Sequence, residues 1–107
     1  MDIATDGPVL VLSGAFDVRS TWQVRTALYD HLETAGGDVV VDLTDVDYAD
    51  LSALKVLAAA SLQAGRQGRH VRLRGCGPAV RRLLHMSRLI RVVEVEPAPT
   101  ATATATA

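Results

Sequence analysis

The chain has 107 residues, 49% of them apolar, and a net charge of −1; this length suits one domain with one core and is too short for two. Its single cysteine, Cys76, excludes an internal disulfide and a cysteine-based zinc site. No apolar run approaches the roughly 20 residues of a membrane span, and Met1 to Asp6 is acidic and polar, unlike a secretory leader, so a cytoplasmic protein without a membrane partner is expected.

Pro8 to Leu12 is a β-prone apolar run that stops at Ser13-Gly14 and reads as a first strand. Ser20-Thr21-Trp22-Gln23 has the spacing of a capping box, in which the serine hydroxyl and the glutamine satisfy free amides of a helix start. Behind it Val24, Ala27, Leu28, His31, Leu32 and Ala35 recur at three- and four-residue spacing, and Gly36-Gly37 closes the helix. Asp38 to Leu43 contains three consecutive valines; a run without alternation predicts a central parallel strand covered on both faces. The stretch Thr44 to Asp50 reads as an acidic loop.

A second helix is expected from about Leu51 to Ala64, with Leu54, Leu57, Ala58, Ser61 and Leu62 turned inward and Gly65 and Gly68 ending it. His70 to Arg74 alternates as a strand does. Pro78 suits the first turn of a short helix, marked by Val80, Leu83, Leu84 and Ser87, and Ile90 to Val95 reads as a last strand at a sheet edge. Residues 97–107, a Pro-Ala-Pro step followed by a Thr-Ala repeat, have nothing to pack with and read as a disordered tail. Strands alternating with helices call for a mainly parallel sheet with right-handed crossovers. The expected fold class is thus α/β: one domain over residues 1–96, with a four- to five-stranded sheet and helices chiefly on one face.

Charge divides along the chain. Residues 1–50 hold ten carboxylates against Arg19 and Arg25, and residues 51–107 hold Lys55 and eight arginines against Glu94 and Glu96. Such asymmetry can mark a nucleic-acid surface, but no aromatic residues accompany the arginines as stacking platforms. Halves that interleave and neutralise each other are the simpler reading. His31, His70 and His85 lie far apart in the chain with no metal-ligand spacing; no metal or cofactor is implied. The sequence has no nucleophile elbow and no phosphate-cradling glycine loop, and the run Asp42, Asp45, Asp47, Asp50 reads as turn formers rather than a magnesium site. An enzyme is not expected. Cys76 sits between two glycines beside a helix start, where a thiolate can be stabilised, and is read as an inert loop thiol. Arg81 and Arg82 are expected on the solvated face of the last helix, and Met86 in the core.

The motifs Gly14-Ala15-Phe16-Asp17, Val40-Val41-Asp42-Leu43, Asp50-Leu51-Ser52-Ala53-Leu54 and Pro78 to Ser87, in this order and spacing, together resemble the STAS domain of bacterial anti-sigma factor antagonists over about residues 8–95. The resemblance implies a switch by protein binding: an antagonist docks on an anti-sigma factor, an ATP-binding serine kinase, and frees a sigma factor. It places the partner-binding surface at Asp17, Asp50, Leu51, Ser52 and Lys55. In that family the kinase phosphorylates a serine at the start of the second helix, adding about −1.5 to −2 charge to an interface packed for a neutral hydroxyl. Here that position is Leu51, which has no hydroxyl. Two readings follow: an antagonist blind to phosphorylation, which is favoured, or an acceptor moved to Ser52, about 100° further round the helix. An exposed Leu51 would anchor an interface, and a buried one would belong to the core. Asp50 also reads as an N-cap. Two alternatives keep other partners open: an accessory subunit of a bacterial lipid-transport ABC system, and nucleic-acid binding through the basic second half.

Overall fold

A computed structural model describes residues 1–97; most of the expected tail, residues 98–107, lies outside the described residues. The elements in chain order are β1 (Asp2–Asp6), β2 (Val9–Phe16), α1 (Thr21–Ala35), β3 (Val39–Ala49), α2 (Leu51–Arg66), β4 (Val71–Arg74), α3 (Pro78–Met86), a 3-10 turn (Leu89–Arg91) and β5 (Glu94–Val95). They form one five-stranded sheet in the order β1-β2-β3-β4-β5, with β1 antiparallel to β2 and the other pairs parallel. Because the parallel strands advance across the sheet in sequence order, right-handed crossovers place α1, α2 and α3 on the same face.

That face holds the core. Leu10, Leu12, Phe16, Val39, Val41, Leu43, Val71 and Leu73 from the strands meet Val24 and Leu28 of α1, Leu54 and Leu57 of α2, and Leu84 of α3, all buried. The opposite face carries half-buried Val9, Val11 and Val40 beside Asp42, Arg72 and Arg74. The three valines of β3 therefore alternate after all: Val39 and Val41 are buried and Val40 is not. Their succession reflects the β preference of branched side chains, not cover on both faces.

Several local expectations are corrected. Asp2 to Asp6, read only as a polar terminus, forms an edge strand that pairs with β2 through a turn at Gly7 (φ +57°). The segment read as an acidic loop is the second half of β3, which pairs with Ser13 to Phe16 across two register shifts. Ser20 is not a capping serine: its hydroxyl donates to the Ala15 carbonyl at 3.0 Å and is buried in the loop. α2 runs through Gly65 to Arg66 and is capped by Gln67. Leu62 is 55% exposed and Met86 75% exposed, both on the outer sides of their helices. The expected last strand begins instead as the 3-10 turn, entered through Arg88 at φ +67°, and leaves only Glu94–Val95 to pair with β4.

Half of the eight arginines after Leu51 are used inside the fold. Arg69 donates to the carbonyls of Gly37 (3.1 Å) and Leu32, tying the C-terminal end of α1 to the start of β4, where a cation also suits the helix dipole. Arg81, expected in solvent, donates to the carbonyls of Cys76 (3.1 Å) and Glu96 (3.3 Å). Arg74 pairs with Glu96 at 2.9 Å and Arg72 with Glu94 at 3.9 Å. None of the four meets a carboxylate of residues 1–50: the arginines of the second half pair with Glu94 and Glu96 of that same half or with backbone carbonyls, so the expected neutralisation of one half by the other is not found in the ion pairs of the described residues.

Candidate functional site

The connections at the C-terminal ends of β2 and β3 meet at Asp50. Its backbone is extended (φ −109°, ψ 174°), which aims the side chain back over the first turn of α2. Oδ1 accepts from the Ala53 amide at 2.9 Å, an N-cap bond. Oδ2 accepts from the Val18 amide at 3.2 Å, in the loop between β2 and α1. The Asp50 amide donates to the Phe16 carbonyl at 3.2 Å, and its own carbonyl accepts from Leu54 at 3.1 Å. One residue therefore closes the helix start and holds the neighbouring loop beside it.

Asp17 opens that loop. Its Oδ1 accepts from the Arg19 amide at 3.0 Å, and its Oδ2 from the Arg19 guanidinium at 2.8 Å. The Arg19 hydrogen bonds hold the Asp17 carboxyl below its usual range, against the opposing effect of partial desolvation. Its carbonyl accepts from the Ser20 amide at 2.9 Å. Asp17 is thus spent on shaping the loop, and Asp50 on fixing the loop to α2.

The remaining sequence-derived residues decorate the rim. Leu51 is half-buried and does not join the apolar residues that pack on the core; Ser52 is exposed on the first turn. Lys55, one turn beyond Leu51, is exposed and lines a shallow groove between the helices with Arg25, Tyr29, Val56 and Ala59. Arg25 lies over the Tyr29 ring, 5.8 Å from its centre, a cation–π distance. The structure joins Asp17 and Asp50 through the Val18 amide and sets Leu51, Ser52 and Lys55 on the helix that Asp50 caps.

Sequence reasoning missed two apolar residues next to Asp17 and Asp50. Val18 is 64% exposed and Tyr48 is 57% exposed. For Tyr48 alternation from Val46 would point inward; the register shift between Gly14 and Ala15 sets Ala49, opposite buried Phe16, on the core side and leaves Tyr48 on the open face. For Val18 no pattern in the chain marks exposure. Val18 in the loop held by Asp50 and Leu51 on the first turn of α2 leave apolar surface outside the core, and Tyr48 does so on the open face of the sheet; apolar side chains of this kind can anchor a protein interface. Asp42, by contrast, is occupied locally by the Thr44 amide (2.9 Å) and hydroxyl (2.6 Å). Among the described residues no three His, Cys, Asp or Glu side chains come together as a metal site.

Residues 1–94 match a family model described as Mlab, STAS domain. No curated protein matches the sequence. Among solved structures the chain is similar to an anti-sigma factor antagonist from Mycobacterium paratuberculosis, at 24% identity and a TM-score of 0.73, over 92% of this chain and 86% of that one. It is also similar to the anti-sigma factor antagonist SpoIIAA in its unphosphorylated form (12% identity, TM-score 0.69, 94% and 90% of the two chains). The phosphorylated form of the same Bacillus cell fate determinant matches at 14% identity and a TM-score of 0.65, over 94% of each chain. At these identities the likeness establishes the shared fold.

Proposed function

Since the chain belongs to the STAS domain family, we propose that it is an anti-sigma factor antagonist, which binds an anti-sigma kinase through the start of α2 and so releases a sigma factor. The observation that carries this reading is the double role of Asp50. By accepting from both Ala53 and Val18, it presents the loop after β2 and the first turn of α2 as one preformed surface. Preorganised loops lose little entropy on docking. The half-buried Leu51 supplies an apolar anchor, and Lys55 supplies a polar rim. The reading is one of binding, not catalysis.

Regulation differs in this proposal from that of the phosphorylated relatives. Leu51 occupies the position that aligns with the acceptor serine, so docking is not switched off there. Ser52 is the only hydroxyl on the first turn of α2, and a kinase aligned on the preceding residue does not reach it in register. A pull-down from host lysate, read by mass spectrometry, should recover a small ATP-binding anti-sigma kinase. With that kinase and ATP, the natural chain should stay unmodified, and Leu51→Ser should gain phosphate. A Leu51→Ser variant inert with every kinase that binds the protein would remove the main support for this alignment.

A second reading keeps the fold and changes the partner: an accessory subunit that contacts the ATPase of a bacterial lipid-transport ABC system. It draws support from the matching family model, whose description names the Mlab kind of STAS domain. Transporter subunits in the same pull-down, without a kinase, would establish it and refute the first.

A further inference from the structure

The stretch from Gly75 to Val93 contains Arg81, Arg82, His85, Arg88 and Arg91 and not one carboxylate. Arg81 is turned inward onto backbone carbonyls; Arg82, His85, Arg88 and Arg91 are exposed, and none is in an ion pair among the described residues. The carboxylates that follow, Glu94 and Glu96, are engaged by His70, Arg72 and Arg74 on the other side of the sheet edge. Four exposed basic side chains without counter-charges, on α3 and the turn that follows it, thus remain after the internal pairing of this half of the chain.

Its other members are apolar. At 100° per residue, Pro78, Ala79, Arg82, His85 and Met86 form one continuous outer arc of α3, opposite buried Leu84 and half-buried Val80 and Leu83, and all five are exposed. Arg82 stands in the middle of this arc, and Met86, at 75% exposure, lies beside it at the C-terminal end of the helix. The exposed set holds no acid, amide or hydroxyl group. Arginines by themselves would also take the phosphates of a nucleic acid, but the exposed methionine beside them would have no partner there. Basic groups around an exposed flexible apolar side chain are instead what an anionic bilayer surface takes.

We propose that the outer face of α3 and the following turn, Arg82, His85, Met86, Arg88 and Arg91, docks on an anionic lipid surface. The chain as a whole carries a net charge of −1, so attraction to such a surface comes from this local field and falls away within a Debye length. The expectation of no membrane partner rested on the absence of a spanning run, which has no bearing on peripheral contact. The proposal stands apart from the docking site at α2 and depends on neither reading of it.

The test is sedimentation of the full chain with vesicles of phosphatidylcholine alone, and with vesicles in which about a third of the lipid is phosphatidylglycerol, at low and at high salt. Binding is expected only to the anionic vesicles and only at low salt. Each basic group near the surface is worth about a fivefold gain in partitioning, so Arg82→Gln with Arg88→Gln should weaken it about 25-fold. Met86→Ser should weaken it several-fold, while Arg25→Gln, which removes one positive charge on α1 and by charge alone would cost about fivefold, should have little effect. Circular dichroism confirms that each variant is folded. The proposal is overturned by equal binding to both vesicles, by an equal loss in Arg25→Gln, or by duplex DNA binding the same arginines more tightly than the vesicles.

Discussion

Replacing Asp50 by alanine removes two bonds at once. The cap on Ala53 is worth about 1 kcal/mol, and the bond from the Val18 amide about another 1 kcal/mol net. The total, about 2 kcal/mol, should lower the melting temperature by roughly 8–16 °C in a domain of this size. Asp50→Asn separates the two bonds: its side-chain carbonyl can still cap Ala53, but its amide nitrogen cannot accept from Val18. It should lose about half as much stability. Thermal and urea unfolding with an unchanged m-value measure both. An alanine variant melting within about 2 °C of the natural chain would refute the assigned role of Asp50. So would an asparagine variant as damaged as the alanine one. Partner affinity measured on the folded Asp50→Asn variant then reports on recognition by the carboxylate itself.

Gly75 and Gly65 should respond in opposite directions to alanine. At Gly75 (φ +72°) a Cβ would lie 2.9 Å from the Thr44 backbone nitrogen and Cα and closer still to its hydroxyl, so Gly75→Ala should cost at least about 2 kcal/mol. Gly65, inside α2 with open space around it, should gain about 0.5–1 kcal/mol as Gly65→Ala; urea midpoints decide both. Burial raises the pKa of the Cys76 thiol, with nearby Arg81 opposing, so the native protein should react slowly with thiol reagents at neutral pH and quickly in urea. Because the unfolded thiol loses its proton first, its contribution to stability holds below about pH 8.5 and declines as pH rises through the folded value. Leu57→Ala should cost about 2–5 kcal/mol, whereas Leu62→Gln, at an exposed site, should stay within about 0.5 kcal/mol.

Features written in short-range chemistry were legible. The apolar period of α1 and its closing Gly36, the cap at Asp50 and the proline opening α3 each depend on residues within one or two turns. The positions were legible in part: Asp17 lies in one connection and Asp50, Leu51, Ser52 and Lys55 at the start of α2 beside it, but Asp17 proves to shape its loop, and the exposure of Val18 and Tyr48 was not foreseen. The capping-box pattern at Ser20 failed because the hydroxyl found the Ala15 carbonyl, a partner supplied by the end of β2. The apparent loop at Thr44 to Ala49 failed because polar residues can continue a strand when a neighbour, here Ser13 to Phe16, offers pairing groups.

The sequence by itself determined an α/β domain with alternating elements, the helical faces and a leucine, Leu51, at the start of the second helix. Only the tertiary structure decided which apolar residues stay outside and where the arginines go. Leu62 and Met86 fit a helical pattern, yet they are exposed because no element packs over those sides of α2 and α3. Arg69 and Arg81 carry the same charge as Arg82 and Arg88, yet they close backbone carbonyls, among them those of Gly37 and Glu96, which the fold brings near from farther along the chain. Periodicity states that a face exists; burial and pairing depend on what the fold carries to it from a distance in the chain.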